Sequence, residues 1–125
     1  MARIQAVLRR MGEGTAPLRT APRLLCGDLL LDRRAGRAYL DGEELDLEPK
    51  ALGLLDYLMG RPGELLSRER LMAAVWGYSD ELSTRLVDGR ISEVRRALGD
   101  DRAAPRYIET VPSLGYRFVG TVEAR

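Results

Sequence analysis

The stretch Thr84–Leu98 constrains this chain more than any other. At about 100° per residue, Val87, Ile91, Val94 and Leu98 fall on one narrow stripe, as a helix seated on a core requires. The opposite face carries Arg85, Gly89, Ser92 and Arg96 in a row, with Glu93 beside them and Leu86, Asp88 and Arg95 on the flanks. Two small residues between two guanidinium groups let a helix lie close against a surface while its edges hold negative charge. A helix that enters a DNA major groove needs those properties. A solvated helix with ordinary surface arginines shows the same pattern, so the surrounding segments decide between the two.

Several classes fall away at once. The chain has 125 residues, one cysteine (Cys26) and no histidine. That length suits one compact domain, with room for a tail. A disulfide framework, a histidine-based zinc site and a histidine-dependent triad are excluded. There is no Gly-rich phosphate loop at the spacing nucleotide folds need. No enzymatic activity, metal or cofactor is therefore expected. Apolar runs such as Leu29-Leu30-Leu31 are far too short to span a bilayer, and the first residues do not resemble a signal peptide. The expected setting is cytoplasmic and reducing, with no membrane contact.

The net charge of +1 conceals an uneven distribution. From Met1 to Arg23 there are five arginines and one acid, and from Leu24 to Glu64 five basic residues and nine acids. From Leu65 to Arg125 ten arginines face nine acids, so any positive field there depends on which face holds the arginines.

Around the 84–98 helix the chain divides into short elements. Ala2 to Arg10 reads as a short helix, marginal by itself and best assigned to a neighbouring domain. Met11 to Pro22, with glycine, proline and threonine and no hydrophobic period, reads as a linker. The domain boundary is placed near Arg23. Three strands follow: Leu25 to Asp32, Arg37 to Leu40 and Glu44 to Leu47, with Asp41-Gly42 as a hairpin signal. Pro49 suits the first turn of a helix running to about Gly60, with Leu52, Leu55, Leu58 and Met59 on its buried side. Ser67 is an N-cap for a helix holding Leu71, Met72, Val75 and Trp76 and ending at Gly77. Tyr78 to Ser83 is a polar loop. After the 84–98 helix, Tyr107 to Thr110 and Tyr116 to Val122 read as strands around Pro112-Ser113-Leu114-Gly115. The expected fold is α+β, a winged helix-turn-helix: a small N-terminal antiparallel sheet, a three-helix core and a C-terminal β-hairpin wing.

Four motifs in this order resemble the OmpR/PhoB-type winged-helix DNA-binding domain of bacterial response regulators. They are Arg61-Pro62-Gly63 through Leu65-Leu66-Ser67-Arg68-Glu69; Val75-Trp76-Gly77-Tyr78; Arg85-Leu86-Val87-Asp88 with Ser92 and Arg95-Arg96; and Ile108-Glu109-Thr110-Val111 with Gly115-Tyr116-Arg117-Phe118. The resemblance covers about residues 24–122. Residues 1–10 also resemble the end of a receiver domain's last helix, joined by a linker over 11–23. It implies transcription control in a phosphorelay, with double-stranded DNA, a receiver domain in the same protein and a second copy on DNA as partners. By the same resemblance, Arg85, Leu86, Gly89, Arg90, Ser92, Glu93, Arg95 and Arg96 face bases or phosphates, and Tyr116 and Arg117 lie in the wing. The Gly77 to Ser83 loop corresponds to one that contacts RNA polymerase in some members.

Four positions depart from the pattern. Leu86 stands where threonine is common and Gly89 where valine is. Glu93 replaces a frequent basic residue, and Pro112 an arginine of the wing. Glu93 is expected to read a base and Arg96 to hold a phosphate or guanine. Further single-residue readings stay open on the sequence. Trp76 reads as a core anchor, Tyr116 as packing with Phe118, and Cys26 as a small buried hydrophobe. Asp88 is expected to pair with Arg85 or Ser92, and Arg95 either reaches DNA or pairs with Glu109 or another acid. Lys50 and Arg68 fit a DNA backbone contact or a solvated face equally well. The alternative function is a winged helix used for protein contact, with RNA polymerase for example, and with weak DNA affinity.

Overall fold

The computed structural model describes residues 17–125. The expected helix over residues 2–10 lies outside them, as do residues 11–16 of the expected linker. The elements are β1 (Arg23–Cys26), β2 (Leu29–Asp32), β3 (Arg37–Leu40), β4 (Glu43–Glu44), α1 (Pro49–Met59), α2 (Arg68–Trp76), a 3-10 turn (Glu81–Ser83), α3 (Arg85–Leu98), β5 (Ile108–Val111), β6 (Gly115–Phe118) and β7 (Glu123–Ala124). A five-stranded antiparallel sheet in the order β4-β3-β2-β1-β7 stands apart from the β5-β6 hairpin. The expected α+β architecture with a C-terminal wing is the one present.

The sheet corrects three expectations. Leu25 to Asp32 is two strands, because Gly27-Asp28 turns the chain and brings Cys26 opposite Leu29. Leu24, Cys26, Leu29 and Leu31 then face the core. A continuous apolar run hides such a turn, since each half supplies its own inward residues. The third expected strand shrinks to Glu43–Glu44, and Leu45 and Leu47 pack against the core beyond it. Tyr116 to Val122 is cut short as well: β6 ends at Phe118, and the chain then returns to pair Glu123–Ala124 with β1. Before β1, the last residues of the expected linker also touch the domain: Ala21 is fully buried and Leu18 packs on the core. Arg33 fastens this segment, bonding the Leu18 and Ala21 carbonyls and reaching Asp56 of α1 at 2.8 Å.

The helices form where their ends are satisfied. Glu48 caps α1, its carboxylate accepting from Lys50 N–H at 3.0 Å, and Pro49 occupies the first turn. Ser67 caps α2 by accepting from Arg70 N–H at 3.0 Å. Ala51, Leu54, Leu55, Leu58 and Met59 of α1 meet Leu71 and Met72 of α2 and Val87, Ile91, Val94 and Leu98 of α3 in one core. Trp76 is half-buried at its margin, packing rather than standing free. The wing is pinned to the α1–α2 loop, where Leu66 and Tyr116 exchange two backbone hydrogen bonds of 2.9 Å. That pairing requires a glycine at 115: with φ at 145°, any Cβ would stand 2.1 Å from the Leu66 carbonyl oxygen.

Candidate nucleic-acid interface

The fourteen-residue helix α3 presents three kinds of surface. Val87, Ile91 and Val94 are fully buried, and Leu98 nearly so. Arg85, Gly89, Ser92 and Arg96 are all exposed on the opposite side, as the helical period predicts, and Leu86 joins them at 46% exposure. Nothing lies within 4 Å of where a Cβ on Gly89 would sit, so the ridge is open at its centre. Two guanidinium groups about three turns apart, with small residues between, make a groove-filling cationic edge.

The two flanks of α3 are tied down. On one flank, Glu93 accepts the Glu48 backbone N–H at 2.7 Å through Oε2, and Arg90 donates to its Oε1 at 2.6 Å. Arg90 also lies 3.5 Å from the Glu48 carboxylate. The Glu48 N–H bond, helped by Arg90, holds the Glu93 carboxyl below the usual carboxylate range. The expected base-reading carboxylate is thus directed at the first turn of α1. The sequence gives no cue that Glu48, 45 residues earlier, would meet it.

On the other flank, Asp88 bonds neither Arg85 nor Ser92. It pairs with Arg68 of α2 at 2.9 Å and accepts the Tyr116 hydroxyl proton from the wing. Burial, reinforced by Asp88, pushes the Tyr116 phenol up to about 12. Tyr116 is buried, as a packing residue would be, but the ring that meets Phe118 is Tyr107, at 6.3 Å between centroids. Arg95 donates to the Ile108 carbonyl at 2.8 Å and to Thr110 Oγ1 at 2.7 Å, and burial lowers its pKa. Its expected acid, Glu109, pairs with Arg117 instead, at 2.9 Å. Asp100, just past α3, accepts the backbone N–H groups of Arg106, Tyr107 and Ile108 and so fixes the start of the wing.

Of the ten expected DNA-facing residues, Arg85, Leu86, Gly89, Ser92 and Arg96 form the open ridge, while Arg90, Glu93, Arg95, Tyr116 and Arg117 are engaged within the domain. Arg68 is bound to Asp88, and Lys50 donates to the Val75 carbonyl at 3.2 Å. Exposed Tyr78, Leu82 and Leu114 mark the α2–α3 loop and the wing tip. Among the described residues no cluster of Cys, Asp or Glu is arranged to hold a metal ion, and no helix is long and apolar enough to cross a membrane.

A three-helix core whose third helix lies beside a pinned β-hairpin and shows a cationic ridge outward is a winged helix-turn-helix domain. The family described as "Transcriptional regulatory protein, C terminal" matches residues 42–118. The chain belongs to that family, in its OmpR/PhoB branch. The phosphate regulon regulator PhoB of Rhizobium meliloti is 37% identical over 116 residues, covering 93% of this chain and 49% of that protein. The chain thus spans about half the length of the curated relatives it matches. The Klebsiella pneumoniae RstA DNA-binding domain, crystallised in complex with the RstA box, superposes with a TM-score of 0.72 at 29% identity. That match covers 78% of this chain and 96% of RstA's. DrrB of Thermotoga maritima, an OmpR/PhoB homolog, superposes with a TM-score of 0.71 at 34% identity, over 79% of this chain and 45% of DrrB's.

Proposed function

We propose that this chain is the effector part of a response regulator and controls transcription in a phosphorelay by binding double-stranded DNA in a sequence-specific way. The observation that carries this reading is the open Arg85–Gly89–Ser92–Arg96 ridge on α3. It has the charge and slimness a major groove admits, in a fold shared with a domain solved on its DNA box. Residues 1–10 would be the end of a receiver domain's last helix, linked to this domain by the residues that precede Leu18, in a cytoplasmic protein. One such module buries only about 600–1,000 Å² on DNA. Tight binding therefore calls for two copies on half-sites about one helical turn, 10–11 bp, apart. The exposed side chains of Tyr78 and Leu82 support a second contact through the Gly77 to Ser83 loop, with RNA polymerase as the partner.

Selection from a random duplex library tests the reading. An enriched sequence should emerge, with paired half-sites favoured over single ones. Arg96→Ala should weaken binding to it and, if Arg96 holds one phosphate, reduce the log–log salt slope by about one. No enrichment above unselected DNA would move the protein-contact function ahead.

A further inference from the structure

The tied flank of α3 next to α1 bears on how the ridge reads DNA. Glu93 spends both carboxylate oxygens inside the domain. Oε2 takes the Glu48 N–H at 2.7 Å, and Oε1 takes an Arg90 N–H at 2.6 Å. Glu48 is itself the N-cap of α1, so this bond joins α3 to the residue from which α1 starts. The Glu93 side chain is only 20% exposed, against 41% for Arg90. Its neighbours on the ridge, Ser92 and Arg96, are exposed, and their side chains form no hydrogen bond or ion pair among the described residues. Arg90, placed between the Glu48 and Glu93 carboxylates, has its charge offset twice over.

We propose that Glu93 is a positioning residue: it seats the recognition helix against the first turn of α1 and holds Arg90 away from the DNA backbone, without reading a base. The inference rests on the DNA-binding function proposed above. It reassigns a side chain on the flank beside the ridge. Turning that carboxylate toward a cytosine N4 would give up both the Glu48 N–H and the Arg90 bond that hold the side chain, and would leave the N-cap residue of α1 no longer joined to α3.

Two variants separate the seat from the charge. In Glu93→Gln the carboxamide oxygen still accepts the Glu48 N–H. Its NH2 group then faces Arg90, donor against donor, so Arg90 keeps only the looser Glu48 contact at 3.5 Å. In Glu93→Ala the same charge is lost and the seat goes with it. Both are compared with wild type on the library-selected duplex and on unrelated duplexes, across salt. Glu93→Gln should bind every duplex more tightly, with a salt slope steeper by up to about one as Arg90 gains a phosphate, and should select the wild-type sequence. Glu93→Ala should bind more weakly than Glu93→Gln on all duplexes by one common factor. About three- to tenfold is what one lost hydrogen bond is worth. Amide exchange at Glu48 should be slow in wild type and Glu93→Gln and fast in Glu93→Ala.

Relaxed preference at a single base pair in both variants would overturn the inference and make Glu93 a base reader. Rapid exchange of the Glu48 amide in the wild type would overturn it as well. Failure of the wild type to enrich any duplex would instead remove the DNA-binding function itself, so the two failures are distinguishable. If Glu93→Ala does not fold, the Glu93→Gln selection alone decides, since an unchanged sequence supports positioning and a relaxed one refutes it.

Discussion

The ridge and the flanks of α3 belong to one fourteen-residue helix, yet they do opposite things with similar residues. Arg85 and Arg96 stand exposed on the ridge. Arg90 and Arg95, a third of a turn to either side, are bound to Glu93 and to the wing. The ridge is open, contributes little to stability and is available to a partner. The flanks fix the angle at which that ridge is presented: α1 holds one side through Glu48, while α2 and the wing hold the other through Arg68, Tyr116 and Thr110. An arginine in a recognition helix is therefore defined by what its neighbours from other elements supply, and not by its residue type.

That contrast is broken most severely at the wing's attachment. Gly115→Ala forces a Cβ to within 2.1 Å of the Leu66 carbonyl oxygen at a φ of 145°. The expected loss is on the order of 3 kcal/mol or more, read as a lower midpoint in urea. A variant of wild-type stability would show that the wing is not pinned through Leu66.

A smaller loss is expected at the wing-side flank. Asp88→Ala strands the half-buried Tyr116 hydroxyl and frees Arg68. The Arg68 ion pair itself contributes little, because both side chains are more than a third exposed. The hydroxyl dominates, and about 1–3 kcal/mol is expected. Urea melts compared with Arg68→Ala separate the two terms, and equal losses would contradict this division.

On the ridge the sign reverses. Gly89→Ala adds a methyl into open space within a helix, so stability should rise by about 0.5–1 kcal/mol. A loss would show that the ridge packs against something after all.

The last effect is a pH slope, silent at neutral pH. Tyr116 in the folded chain keeps its proton to about 12, against an ordinary 10.0. Between those values the unfolded chain gives up a proton that the folded chain retains, so stability falls as pH rises through that window. Tyr116→Phe should flatten the slope of stability against pH there, and an unchanged slope would assign it to another group.

The helices were legible in the sequence because their signals are local: the 3.6-residue period of α3, Pro49 at the start of α1 and Ser67 before α2. The sheet was less so. Gly27-Asp28 sits inside a run of leucines, and β7 exists only because the chain returns to β1. Within the site, the exposed ridge followed from periodicity alone. The partners of Asp88 and Glu93 did not, since Arg68, Tyr116 and Glu48 lie 20, 28 and 45 residues away. A helical wheel shows which residues share a side, but only the packing of other elements shows which of them are already in use.

The ridge, and not the flanks, is the surface expected to meet DNA. Backbone amide shifts recorded while the library-selected duplex is titrated into the domain test it most directly. The largest changes should fall at Arg85, Gly89, Ser92 and Arg96, with the Glu48 amide little shifted. Changes concentrated in the Gly77 to Ser83 loop, with the ridge silent, would contradict it.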